Sequence, residues 1–440
     1  MKKQSVKGIL LAGAAVLVAS ESALAQDYGN FDGVSIEAKL IGGQQYEALY
    51  GRISDWEAAT GGTVNIISKK SHFEIDKEIK SDMAAGTTGW CVGSNHSSFA
   101  PQYEGLYVDL NDHLSDEDIA GFVPGNIKAS TVDGELLMLP RAQFDVSVLY
   151  YLKSNYTDEA KAAAFKEEYG YDLAVPETWE QVKDQAIFFA DPPNFYGTQY
   201  AGKDEAIVGR FYEMVVAEGG NYLDEDKKPI FNSEAGQRAL QWFVDLYEAK
   251  AVPAGTTSYV WDDLGQGFAS GTVALNLDWP GWAGFFNDPA SSKAAGNVGV
   301  AIQPMGSATR TGWSGHHGFS VTSDCENKEA AVSLVKFLTS EESQLAESAG
   351  GSLPTRSAVW EANVKAAEAG DDPFRAEALS AFAAGAEYAF AVPPIPEWGE
   401  SVNIVFPELQ AAIVGDKTVK EALDDAAEEV DELMQDAGYY

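Results

Sequence analysis

The chain has 440 residues, 45% hydrophobic and 11% aromatic, with 67 Asp and Glu against 30 Lys and Arg and a formal net charge of −37. That much apolar and aromatic content excludes a disordered chain, and so acidic a balance repels nucleic acid and anionic lipid, removing both as candidate partners. The acids are spread along the whole chain, so they describe a solvated surface and say little about a ligand.

Residues 1–25 begin Met-Lys-Lys, continue with an apolar run from Gly8 to Ala19, and end in Ala23-Leu24-Ala25. A positive start, an apolar core too short to span a bilayer and a small-residue end predict a secretory signal peptide cleaved after Ala25. No cysteine follows that point and no later stretch reaches the roughly 18 to 20 apolar residues of a membrane span, so a mature chain free in the periplasm is expected. It is long enough for two or three domains with well-formed cores.

From residue 34 the pattern alternates strand and helix. Residues 34–41 alternate apolar and polar, 46–60 place Leu49, Ile53 and Trp56 on one helical face, 63–67 are β-branched, 72–85 read as a helix, and a strand follows around Cys91. Such βαβαβ patterning predicts a parallel sheet with helices on both faces. A mostly helical middle, about 155–290, holds 236–249 with Leu240, Phe243, Val244 and Tyr247 in helical spacing. Short apolar strands return at 273–277, 298–302 and 318–322. Thr178-Trp-Glu-Gln181, Thr339-Ser-Glu-Glu342 and Thr418-Val-Lys-Glu421 read as capping boxes, the second helix ending at Gly350-Gly351.

Two cysteines, Cys91 and Cys325, stand far apart in a chain expected in an oxidising compartment where pairing is allowed, and nothing in the sequence shows that they meet, so whether they form a disulfide stays open. They form no metal motif, and the histidines lack ligand spacing apart from the adjacent His316 and His317, whose side chains point different ways; no metal, cofactor or catalytic group is expected. A serine nucleophile elbow, a phosphate loop and a His-Glu metal helix are all missing from the sequence. What the chain offers is tryptophan beside polar residues in loop-like contexts: Trp261-Asp262-Asp263, Asp278-Trp279-Pro280-Gly281-Trp282, Trp313-Ser-Gly-His-His317 and Pro396-Glu397-Trp398. Sugars suit such surroundings, because the C–H face of a ring lies on an indole while hydroxyls bond to carboxylates, amides and arginine. Trp56, Trp179, Trp242 and Trp360 fall within helical patterns and are read as structural.

Taken together, ordered segments along nearly the whole mature chain resemble the family 1 extracellular solute-binding proteins of bacterial ABC importers, of the maltose- and oligosaccharide-binding type. The segments are Ala84-Ala-Gly-Thr87, Gly105-Leu-Tyr-Val-Asp-Leu110, the run from Asp133 to Pro140 followed by Leu149-Tyr-Tyr151, Pro176-Glu-Thr-Trp179, Phe268 to Leu275, and Leu353-Pro-Thr-Arg356. The resemblance implies two α/β lobes, each a sheet flanked by helices, joined by crossing strands with the ligand cleft between them; residues 26–140 with 302–356 form one lobe and 141–301 with 357–440 the other. It implies a non-enzymatic monomer that captures a carbohydrate or polyol by hinge closure and passes it to a membrane permease with its ATPase. Asp145 falls where the family often has a sugar-binding carboxylate, and Trp279 or Trp282 matches its stacking tryptophan. Gln44 and Gln45, Asn95 and His96, and Arg356 occupy loops that the family turns toward the cleft. With Trp261, Asp278, Trp313, His317 and Trp398 these complete the expected ligand-binding set. Two alternatives stand beside this reading: a polyamine or an anionic or sulfonated sugar held by Arg356 and His317, and a secreted glycoside hydrolase with Asp145 and Asp278 as its carboxylates.

Overall fold

A computed structural model describes residues 27–43, 46–103, 105–348, 352–370 and 372–440. The expected signal peptide, Gln44, Gln45 and the Gly350-Gly351 helix end lie outside these residues.

Two sheets organise the molecule. The first takes β1 (Ser35–Ile41), β2 (Thr63–Lys70), β3 (Val92–His96), β4 (Leu139–Val146), β8 (Gly312–Val321) and β9 (Ala389–Phe390); the second takes β5 (Val148–Leu152), β6 (Leu275–Asp278) and β7 (Val298–Ile302). In the first sheet β1 pairs in parallel with both β2 and β3, as the patterning predicts, and β8 runs antiparallel to β3 and β4. In the second, β5 lies between β6 and β7 and is antiparallel to both. The helices that matter for the site are α1 (His72–Ala85), α2 (Trp179–Phe189), α3 (Asp204–Ala217), α4 (Glu234–Glu248), α5 (Trp261–Ala269), α6 (Lys328–Leu338), α7 (Glu341–Ser348), α8 (Pro373–Ala386), α9 (Trp398–Ile413) and α10 (Val419–Asp436).

The first lobe closes its core around Ile36, Leu40, Trp56, Val92, Phe319, Leu334 and Phe337, with the Trp56 indole N–H donated to Ser333 Oγ at 3.1 Å. The second lobe covers one face of its sheet with Phe268, Phe286, Leu379 and Phe382. Phe211 of α3, Phe243 of α4 and Leu423 and Val430 of α10 build a larger cluster with Phe231 from the turn before α4. That cluster also contains Ile75, Ile79, Phe99 and Tyr103 of the first lobe together with Trp398 and Val402 of α9, so apolar contact joins the lobes outside their crossing strands.

Some local expectations are refined. The Thr418 box forms as read, its hydroxyl accepting from the Glu421 N–H and the Glu421 carboxylate reaching back to the Thr418 N–H. At α2 only half of the box forms, because Gln181 Oε1 accepts from Glu177 N instead of Thr178 N. At α7 the cap is Ser340, whose Oγ accepts from Ser343 N, while the Thr339 hydroxyl turns back to Val335 O. The stretch 46–60 divides into helices Glu47–Tyr50 and Ile53–Thr60. The strand expected at 318–322 begins six residues earlier, at Gly312, because its first half pairs with β4 and β9.

The cysteines, whose pairing the sequence leaves open, are bonded: Cys91 and Cys325 join the start of β3 to the turn before α6 across a sequence separation of 234. The pairing of Val92 with Val321 in the β3–β8 register sets the two cysteines close, a long-range consequence that local sequence does not carry.

Candidate ligand-binding cleft

Strand register assembles the site. Because β8 opposes β3 with His317 across from His96, and opposes β4 with Gly315 across from Asp145, two imidazoles and a carboxylate arrive at one spot from three strands. The N-terminal end of α1 adds His72, whose ring centroid lies 4.9 Å from that of His96 and 5.1 Å from that of His317. Gly315 has no alternative here, since a Cβ on it would stand 2.6 Å from His96 Nε2. Facing these residues, the start of α5 brings Trp261, the end of β6 brings Trp279, and the turn after it brings Gly281 and Trp282. Trp261 and Trp279 pack edge to face at 5.1 Å, and both lean on Trp313, which is buried against Gly209 so closely that a Cβ there would meet the indole at 2.3 Å.

Together with Tyr46 and Glu205 these side chains line a cavity of about 90 Å³ between the lobes. Of the expected residues, His96, Asp145, Trp261, Trp279, Trp282, Trp313 and His317 line it. The others that lie among the described residues do not. Asn95 is buried within the first sheet, donating to Ser320 Oγ and accepting from the His96 N–H. Asp278 is sealed beneath Trp279, accepting from the Trp279 N–H and the Asn276 amide. Arg356 is spent on structure: its guanidinium lies over Phe122 and donates to the Thr339 and Asp118 carbonyls. Trp398 is fully buried and stands behind the wall, giving its indole N–H to Glu205 Oε1 at 2.7 Å.

Tyr46, His72 and Glu205 were not read from the sequence. Each sits at or beside the start of a helix and looks like surface until the other lobe covers it, and only the pairing of strand ends reveals that. Tyr46 itself rests on the guanidinium of Arg141, 4.5 Å from the ring, and Arg141 is buried in an ion pair with Glu347 of α7.

The two sides differ electrostatically. Burial holds the imidazoles neutral, taking His72 down to about 4 and His316 to about 3, with His96 and His317 well below the ordinary range and further depressed by their histidine neighbours. The adjacent pair splits, His316 turning away to bond Ser130 Oγ at 2.7 Å while His317 faces the cavity. Burial acts on carboxyls in the opposite sense, pushing Glu205 and Asp278 up to about 7. Among the described residues lining the cavity there is no Lys or Arg, and among all described residues no group of three or more His, Cys, Asp or Glu is arranged to hold a metal ion. The arrangement offers indole surface for the apolar face of a ring, neutral imidazoles that both donate and accept, and carboxyls that accept from hydroxyls.

Comparison with known proteins agrees with this architecture. Residues 41–345 match the family model described as bacterial extracellular solute-binding protein. A probable amino-acid ABC transporter periplasmic-binding protein of Sinorhizobium fredii is 24% identical over 427 residues, covering 93% of this chain and 91% of that protein. The maltose-bound MalE3 of T. maritima superimposes with a TM-score of 0.78 at 29% identity, covering 91% of this chain and all of that one. A ribitol-bound solute-binding protein of Agrobacterium radiobacter gives 0.78 at 23% identity over 92% of this chain and all of the other. With this two-lobed fold and a family match over more than half its length, the chain belongs to the bacterial extracellular solute-binding proteins of ABC importers.

Proposed function

We propose that the protein binds a neutral carbohydrate or polyol in the cleft and delivers it, as an exported periplasmic monomer, to a membrane permease with its ATPase. Residues 26–140 with 302–356 act as one jaw and 141–301 with 357–440 as the other. The observation that carries the reading is the lining: indoles on one side, neutral imidazoles on the other, and the carboxylate of Asp145 between them, with no Lys or Arg among the described lining residues. An anionic sugar or an amino-acid carboxylate needs a cation, and Arg356 is engaged elsewhere. The enclosed volume, about 90 Å³, is below the roughly 300 to 1,000 Å³ of most small-molecule pockets, which supports a single ring or a short polyol over a long oligosaccharide.

Asp145, Trp279, Trp282, Trp261, His96 and His317 are the residues proposed to hold the ligand. The protein is proposed to be a binder and not an enzyme: the hydrolase alternative requires Asp278 at the cleft, and that carboxyl is sealed away. The polyamine alternative retains one supporting observation, the presence of two acidic residues, Asp145 and Glu205, in the lining. Titration calorimetry with maltose, ribitol and spermidine discriminates between them. Binding of maltose or ribitol supports the proposal, and binding of spermidine alone overturns it.

A further inference from the structure

A second cavity, of about 470 Å³, lies against the second lobe and shares no lining residue with the cleft. Helices α2, α3 and α4 form its walls, and residues 305–307, on the chain that returns from β7 to β8, close one end. Its interior is apolar: Trp179 and Trp242 pack edge to face at 5.4 Å, and Met214 and Met305 line it with them. Backbone bonds hold these parts together. The Trp242 indole N–H donates to Trp179 O at 2.8 Å, the Trp179 backbone N–H to Met305 O at 3.1 Å, and the Met305 N–H to Glu177 O at 2.8 Å. Ala308 and Thr309 both donate their N–H to Ala217 O at 3.1 Å. Residues 305–309 thus stand at the start of the segment proposed for the first jaw, yet they are fastened to α2 and α3 of the second lobe, and the cavity is built against that lobe alone.

The charges around the cavity are already matched. Lys183 lies 3.0 Å from Asp245 and 3.1 Å from Glu180, and Arg238 lies 2.9 Å from Glu218, whose carboxylate also accepts from the Ser307 hydroxyl at 2.6 Å. An anionic ligand therefore meets no unpaired cation among the described lining residues, and the apolar interior repays neither sign of charge for its lost hydration. One polar group is left unserved. Trp179 is 3% exposed, and its indole N–H, unlike that of Trp242, has no acceptor among the described residues; buried donors as a rule meet a partner. The volume falls within the roughly 300 to 1,000 Å³ of small-molecule pockets, where the cleft itself does not. We propose that this cavity is a second ligand site, which takes a neutral ring compound carrying a hydrogen-bond acceptor. The ring lies against the two indoles and the methionine side chains, and the acceptor serves the Trp179 N–H. Because the walls belong to one lobe, the site binds independently of the cleft.

Fluorescence titration of the mature chain with prodan, a neutral naphthalene ketone whose emission moves to the blue on leaving water, tests this apart from any question of what the cleft binds. The wild type is expected to bind prodan with a blue-shifted emission. Trp279→Ala, which strips an indole from the cleft, is expected to bind it with unchanged affinity. Gln241→Trp, at an exposed position of the cavity lining, is expected to weaken it about tenfold or more by filling the space. Naphthalene, the same ring without the ketone, is expected to compete about tenfold more weakly than prodan, for want of an acceptor. Absence of prodan binding overturns the proposal, as does binding that is lost in Trp279→Ala or unchanged in Gln241→Trp. Naphthalene competing as well as prodan overturns the role given to the Trp179 N–H.

Discussion

The two walls of the cleft are buried to similar extents and respond to burial in opposite ways. The first wall presents His72, His96 and His317, bases that lose their charge by refusing a proton; the second presents Glu205 with Asp278 behind it, acids that lose their charge by keeping one. Burial thereby reduces the charge on each wall, and what remains, with the Asp145 carboxylate between them, is a surface of donors and acceptors beside indole rings. Specificity in such a cleft comes from hydrogen-bond matching, since an unmatched buried polar group costs about 1 to 3 kcal/mol.

The largest loss is expected at the support of the first wall. Arg141→Met leaves Glu347 buried without its ion-pair partner and removes the guanidinium under Tyr46, so chemical denaturation is expected to show a loss of about 3 to 5 kcal/mol. Removing the crosslink behind that wall with Cys91→Ser and Cys325→Ser together is expected to cost about 2 to 5 kcal/mol by the same measurement, since the bond closes a very long loop.

The contrast sharpens between the walls themselves. Asp145→Ala is expected to leave folding intact and to weaken ligand binding about tenfold or more in calorimetry; unchanged affinity would remove Asp145 from the site. The histidine wall makes a pH prediction with a definite sign. His72 binds fewer protons folded than unfolded between its depressed value of about 4 and the ordinary 6.5, so its contribution to stability is present above pH 6.5 and is lost as pH falls toward 4. Thermal midpoints measured from pH 6.5 to 4 should therefore fall less steeply in His72→Gln than in the wild type. The smallest effect belongs to Arg356→Gln, which should weaken stability through lost carbonyl bonds and leave affinity unaltered.

Much of the fold is legible from periodicity alone. The helix at 72–85 and the strand at 298–302 fall on the residues that patterning assigns, because each buries one continuous face against a neighbouring layer. Trp313 shows where this fails: Trp-Ser-Gly-His-His looks like a loop by composition, yet it lies in a strand, because pairing with β4 and β9 supplies order that its own glycine and polar residues do not encode. At the site, the turn tryptophans and Asp145 were visible beside proline and glycine punctuation and through the family resemblance. Glu205 and His72 were not, since a charged or polar residue at a helix start usually faces water, and only the arrival of the other lobe buries them. Arg356 misled for the converse reason: a loop arginine suggests a ligand contact, but the nearest open carbonyls, those of Thr339 and Asp118, already take its hydrogens.

The central claim is that the cleft takes a neutral polyhydroxylated ligand. Its most direct test is a thermal-shift screen of the mature protein against mono- and disaccharides, polyols, sulfonated sugars and polyamines, because a ligand bound only by the folded state adds about 2.7 kcal/mol at a hundredfold excess over its Kd. A neutral sugar or polyol is expected to give a shift and its sulfonated counterpart none. A shift confined to sulfonated sugars or to polyamines would contradict the claim.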